Sequence, residues 1–144
     1  MKRQEKYSNT DTFCYYNANP KNRITADCAI RAIAAATEIP YNDVVLGLAK
    51  VQCETGYEPT TGKGLDIYMD MIGWVKHSQP KKVNNKKYTG HEFCKMLQDR
   101  NDMRGIVCNI GGHHMAAIKQ GKIHDIWDCT YKCIGNWWTK KGTD

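Results

Sequence analysis

The stretch Asn109–Cys129, NIGGHHMAAIKQGKIHDIWDC, carries His113, His114 and His124, with Asp125 directly after the last. Two short apolar or β-branched runs flank Gln120-Gly121, a pattern that reads as a β-hairpin with a tight turn. With a two-residue turn, Lys119 pairs with Lys122, Ile118 opposes Ile123, Ala116 opposes Asp125 and His114 opposes Trp127. Side chains alternate along a strand, so His114, Ala116, Asp125 and Trp127 share one face, with His114 and Asp125 diagonal neighbours. His113 and Asp128 fall on the other. A three-residue turn would instead set Asp128 opposite His114, because a slip of one residue exchanges the faces.

Working outward, RGIVCNI before the hairpin and CIGNWWTK after it read as further antiparallel strands. The upstream half has helical texture. ADCAIRAIAAATEIP reads as a helix capped by Asp27 and ended by Pro40, and its alanines imply close packing on several sides. YNDVVLGLAKVQ is a second helix with Val44, Val45, Leu48 and Val51 along one side. EPTTGKG is a loop, LDIYMDMIGW a short helix stopped at Gly73, and TGHEFCKMLQDR a fourth with Thr89 as its cap. The polar first fifteen residues are expected to be loosely ordered. Helices followed by a sheet argue for one α+β domain spanning residues 1–144.

Composition narrows the class. Hydrophobic residues make up 41% and charged ones 25%, as in ordinary folded domains. No apolar run approaches the ~20 residues of a membrane span. The start, MKRQEKYSNTDTF, lacks the apolar stretch of a signal peptide. The expectation is a cytoplasmic protein, in the host cytoplasm if phage-encoded, without a membrane partner. Seven scattered cysteines, an odd number, do not suggest a disulfide framework. The net charge of +6 permits a polyanionic partner. Much of the excess lies in the Lys76–Lys87 stretch, which reads as a solvated loop, with nucleic acid or a cell-wall polyanion as the sharper alternative.

A carboxylate beside an imidazole orients the ring and favours its charged form. Such a pair is half of a nucleophilic machine and requires a serine or cysteine whose proton it can take. Cys28 is the candidate. It follows Asp27 at the predicted start of the first helix, where unsatisfied N–H groups and the helix dipole favour a thiolate. Cys94 and Cys108 fall inside a helix and a strand, and Cys14, Cys53, Cys129 and Cys133 in polar or terminal surroundings. The Cys28 N–H and the side-chain amide of Asn22, six residues earlier, are candidate donors to an oxyanion.

A cysteine opening a central helix, an amide six residues before it, then a histidine beginning a strand and an Asp or Asn on the next, resembles the papain-like cysteine peptidase superfamily. The stretch DIW at Asp125–Trp127 is similar to the Asn-x-Trp of papain itself, with Asp for Asn and Asn22 for the usual Gln. DCAIRAIAAATEIPY and GHHMAAIKQGKIHDIWDC also resemble small papain-fold proteins of bacteria and phages. The resemblance spans residues 22–129. It implies a papain-like architecture and a cofactor-free thiol hydrolase or acyl transferase acting on a peptide, isopeptide or side-chain amide of a protein or peptide substrate. Cys28 would be nucleophile, His114 base and acid, Asp125 its orienting group and Asn22 the oxyanion donor. A papain-fold binding protein without turnover, such as a phage factor masking a host protein, is the alternative from another class. A small zinc module built from His113, His114, His124, Cys129 and Cys133 is a third.

Overall fold

The computed structural model describes residues 2–143. The chain forms helices α1 (Arg3–Lys6), α2 (Cys28–Thr37), α3 (Tyr41–Thr55), α4 (Gly62–Met71) and α5 (Gly90–Asp99) and six strands. These are β1 (Phe13–Tyr15), β2 (Trp74–His77), β3 (Ile106–Ile110), β4 (His114–Lys119), β5 (Lys122–Asp125) and β6 (Ile134–Lys140). One mixed sheet of order β1-β5-β4-β3-β6-β2 gathers all the strands, so the chain is α+β.

The hairpin takes the two-residue register. Ile118 pairs with Ile123 and Lys119 with Lys122. Gln120 and Gly121 have φ of 53° and 70°, the doubly left-handed turn whose twist matches that of paired strands. Pairing stops earlier than the sequence suggests, at Ala117 with His124, so the expected pairs Ala116–Asp125 and His114–Trp127 do not form. Trp127 therefore lies outside the ladder and reaches His114 from a loop.

Two strands correct the sequence reading. The polar N-terminus, expected to be loosely ordered, contains β1, whose Phe13 is fully buried and which runs parallel to β5. The basic stretch, expected to be a loop, begins within β2, an edge strand antiparallel to β6. The sheet is thus mixed rather than purely antiparallel. Three or four residues are too few for a periodic signal, and both strands form only because a neighbouring edge is present. Within the basic stretch, Lys76 pairs with Asp66 and Lys82 with Glu92.

Both faces of the sheet are covered, which explains why β3 and β4 read as nearly continuous apolar runs. Val107, Met115, Ala117 and Trp138 pack with α2, α3 and α4. Ile106, Cys108, Ile110, Ala116, Ile118 and Ile123 pack with Phe93, Cys94 and Leu97 of α5. Helix α2 lies across β4, β3 and β5 and against α3. Its alanines give the backbone close approach on several sides, and Ala29, Ala32, Ala35 and Ala36 are all buried. Burial of this apolar surface, at roughly 25 cal/mol per Å², is the main term holding the helix in place.

Helix ends follow local chemistry in part. Thr89 caps α5 as foreseen, in a capping box with Glu92. Helix α2 ends at Thr37 through a left-handed Glu38, two residues before Pro40. Helix α4 begins at Gly62, inside the expected loop; Gly64 there has no room for a Cβ, which would meet the Glu58 carbonyl oxygen at 2.2 Å. Among the described residues no helix is long and apolar enough to cross a membrane.

Candidate functional site

Cys28 is the first residue of α2, half-buried where that helix meets the start of β4. Asp27 occupies the N-cap position but makes no side-chain cap bond, contrary to the sequence expectation. Its carboxylate turns inward instead. Oδ1 accepts from Arg31 Nε at 2.7 Å, and Oδ2 accepts from Tyr41 Oη at 2.6 Å and Asn19 Nδ2 at 3.0 Å. The stronger donors inside the fold outcompete the helix's own N–H groups for an anion.

His114 opens β4 and Asp125 ends β5, the ends of two paired strands. His114 Nε2 lies 2.5 Å from Asp125 Oδ2. An ionised carboxylate only accepts, so Nε2 carries the proton and Nδ1 is left for the sulfur. The Cys28 thiol lies beside the His114 ring and the backbone of Met115. Asp125 is 1% exposed. Its Oδ1 accepts from Arg31 Nη1 and from the Ile126 N–H, both at 2.7 Å. The Trp127 ring centroid is 4.9 Å from that of His114, and Tyr131 lies beyond it.

These contacts set the charges. The hydrogen bond from His114 lowers the Cys28 thiol below its ordinary value, against the opposing effect of burial, with further help from Met115 and the Arg31 charge. Burial alone would lower the His114 ring; the Asp125 carboxylate and then the Cys28 sulfur overcome this and raise it from 6.5 to about 9. Both shifts favour the thiolate–imidazolium form of the pair over the neutral one. Burial pushes the other interior thiols the opposite way, Cys94 to about 12 and Cys108 and Cys129 higher still. Cys129 is fully buried, not in the polar setting its neighbours in sequence suggest.

A cleft of about 390 Å³ opens beside Cys28. Its walls include Thr61, the N-cap of α4, Leu65 of α4, and strand residues Asn109, Met115, Asn136 and Trp138. His113 is exposed and lines the cleft, next to the buried pair rather than in it. Asn22 sits in an exposed turn with a left-handed φ of 54°. Its Oδ1 accepts from Asn17 Nδ2 at 3.4 Å, and among the described residues it is not in the cleft lining. His124 bonds to the Lys122 carbonyl at 3.0 Å, and Asp128 to Thr130. Thus Cys28, His114 and Asp125 are brought together, while Asn22, His124 and Asp128 lie apart from them.

Donor atoms of His114, Asp125 and Cys129 lie within 4.8 Å of one another, a set that differs from the one the sequence suggested for zinc. The arrangement suits hydrogen bonding better than a dication. The 2.5 Å contact between His114 and Asp125 leaves no space between them, and the Arg31 cation already holds that carboxylate.

Arg31 is the residue that sequence reasoning missed. Its signal was present: one charge inside the apolar helix CAIRAIAAAT, four residues after Asp27 and three after Cys28. A cation on a buried helix needs anionic partners, which Asp27 supplies locally and Asp125 supplies across 94 residues.

Comparison of the chain with protein-family models, with curated proteins and with solved structures gave no match in any of the three.

Proposed function

We propose that the chain is a thiol-dependent hydrolase or acyl transferase of papain-like architecture, acting on a peptide, isopeptide or side-chain amide, with cysteine peptidase as the first assignment. The observation that carries this reading is a half-buried Cys28 on the wall of an open cleft, beside a His114 that is held by a buried, ion-paired Asp125. In the proposed reaction the Cys28 sulfur attacks a carbonyl carbon, and the carbonyl electrons move to oxygen. His114 then donates its proton to the leaving nitrogen as the C–N bond breaks, which leaves an acyl thioester. Water, deprotonated by His114, releases the acid and restores the thiol–imidazole pair; an amine in place of water gives acyl transfer.

The Cys28 N–H, in the first turn of α2 where N–H groups have no intrahelical partner, is the first oxyanion donor. Asn22 has the offset of six but would have to leave its exposed turn to serve as the second donor, whereas Asn109 and Asn136 are already on the cleft. The substrate carbonyl is placed against the helix start, where the dipole favours negative charge.

Limiting iodoacetamide at pH 7, read by peptide mass spectrometry, tests the nucleophile. Cys28 should label first among the seven cysteines, and Cys94, Cys108 and Cys129 last. Labelling of Cys28 no faster than exposed Cys53 or Cys133 would remove the basis for turnover and favour a binding protein.

A further inference from the structure

We infer that Arg31 is a positioning residue: its guanidinium bridges Asp27 and Asp125, and so fixes the strand that carries the orienting carboxylate to the helix that carries Cys28. The inference rests on the proposed thiol chemistry and adds to it a residue with no counterpart in the motifs that suggested it. Arg31 is 6% exposed, and both of its ion pairs are 2.7 Å long. Its Nε engages Asp27 and its Nη1 engages Asp125, so two different edges of one planar group are used. That is a fork geometry, which a lysine ammonium cannot reproduce.

The energetics point away from plain stability. Burying a guanidinium and two carboxylates carries a desolvation cost that their attraction only offsets when the geometry is good. Apolar side chains would fill the same space in a helix that is otherwise apolar. What the ions supply instead is direction. Asp125 Oδ1 is held by Arg31 and the Ile126 N–H, which leaves Oδ2 aimed at His114 Nε2. Asp27 is held in turn by Tyr41 and Asn19. Charges then alternate along one path: Asp27, Arg31, Asp125, His114, Cys28. The groups that face this path are Tyr41 from α3, Cys108 from β3, and Cys129 from the loop after β5, whose Sγ is 3.7 Å from Asp125 Oδ2. The thiols among them stay neutral because burial raises them. Arg31 is therefore the cation that lets a second buried anion stand beside the one the histidine needs.

The test is the pH profile of Cys28 alkylation in folded wild type, Arg31→Lys, Arg31→Met and Asp27→Asn, with thermal melts alongside. Loss of a nearby cation raises a thiol, so Arg31→Met should move the midpoint up by about one pH unit. Arg31→Lys keeps the charge but not the fork, and should restore only part of the shift. Asp27→Asn leaves Arg31 less neutralised and should move the midpoint down. A merely structural Arg31 would lower the melting temperature and leave every midpoint unchanged, and that result overturns the inference. Full rescue by lysine overturns the positioning role in favour of charge alone. Should both Arg31 variants fail to fold, Asp27→Asn decides: an unmoved or raised midpoint overturns the inference. A wild-type midpoint at the ordinary thiol value refutes the proposed function itself, a result distinct from any of these.

Discussion

Replacing Asp125 by alanine separates the hairpin register from its alternative, and its size can be worked from the contacts. His114 is raised from 6.5 to about 9, with Asp125 the first of its favourable partners and Cys28 the second. At 1.36 kcal/mol per pH unit, that rise is worth roughly 3 kcal/mol at most, less after solvent screening of a partly open site. Asp125→Ala should therefore lower the His114 titration by at least about one unit. The thiol loses the imidazolium beside it, so the midpoint of Cys28 alkylation should rise. The substitution also leaves Arg31 with Asp27 as its remaining anion. Removing one partner of a buried pair costs about 3–5 kcal/mol. For a chain near this size, with about 2–4 °C per kcal/mol, the melting temperature should fall by roughly 6–20 °C. Asp128→Ala removes only local bonds, those that Asp128 Oδ1 accepts from the Thr130 N–H and hydroxyl. It should cost about 1 kcal/mol and leave His114 unmoved. His114 ring protons followed by NMR across pH 5–10, with melts of both variants, make the comparison. If Asp125→Ala leaves His114 titrating near 9 while Asp128→Ala lowers it, the register and the roles drawn from it are wrong.

Two further outcomes are expected. Asn22→Ala and Asn136→Ala should be compared for turnover of any peptide substrate that labels Cys28. Loss of a true oxyanion donor lowers kcat by roughly 10²–10³, and the residue whose loss does so is the donor. The stability due to His114 should depend on pH with a definite sign. Its folded value lies above the unfolded 6.5, so its contribution is complete below pH 6.5 and disappears as pH rises through about 9. In a Cys28→Ser background, which removes the opposing thiol titration, the melting-temperature gap between His114 and His114→Asn should shrink from pH 6 to pH 9.5. A gap that widens over this range would mean that His114 is not held charged by Asp125.

What the sequence determined by itself was local. Alternation across Gln120-Gly121 narrowed the hairpin to two registers, and the two-residue turn it suggested first is the one that forms. The same parity put His114 beside Asp125, and the helix start singled out Cys28. Alanine-rich texture marked α2 as a helix closely packed on several sides, and Thr89 with Glu92 marked the start of α5. The tertiary structure decided everything that needed a distant partner. β1 and β2 are strands because a sheet edge is there to receive them. Trp127 meets His114 from a loop, not from the ladder. Asp27 could be read as a cap from its position alone, yet its carboxylate is drawn inward by Arg31, Tyr41 and Asn19, one of them fourteen residues away. Arg31 was missed: its charge inside an apolar helix was legible, but neither its burial nor its anionic partners were. Asp125 is 94 residues distant, and only the packing of α2 across β4 and β5 brings its oxygen to 2.7 Å. A short-range pattern carries no information about such a contact, because the free energy that forms it comes from burial of the whole interface rather than from either residue.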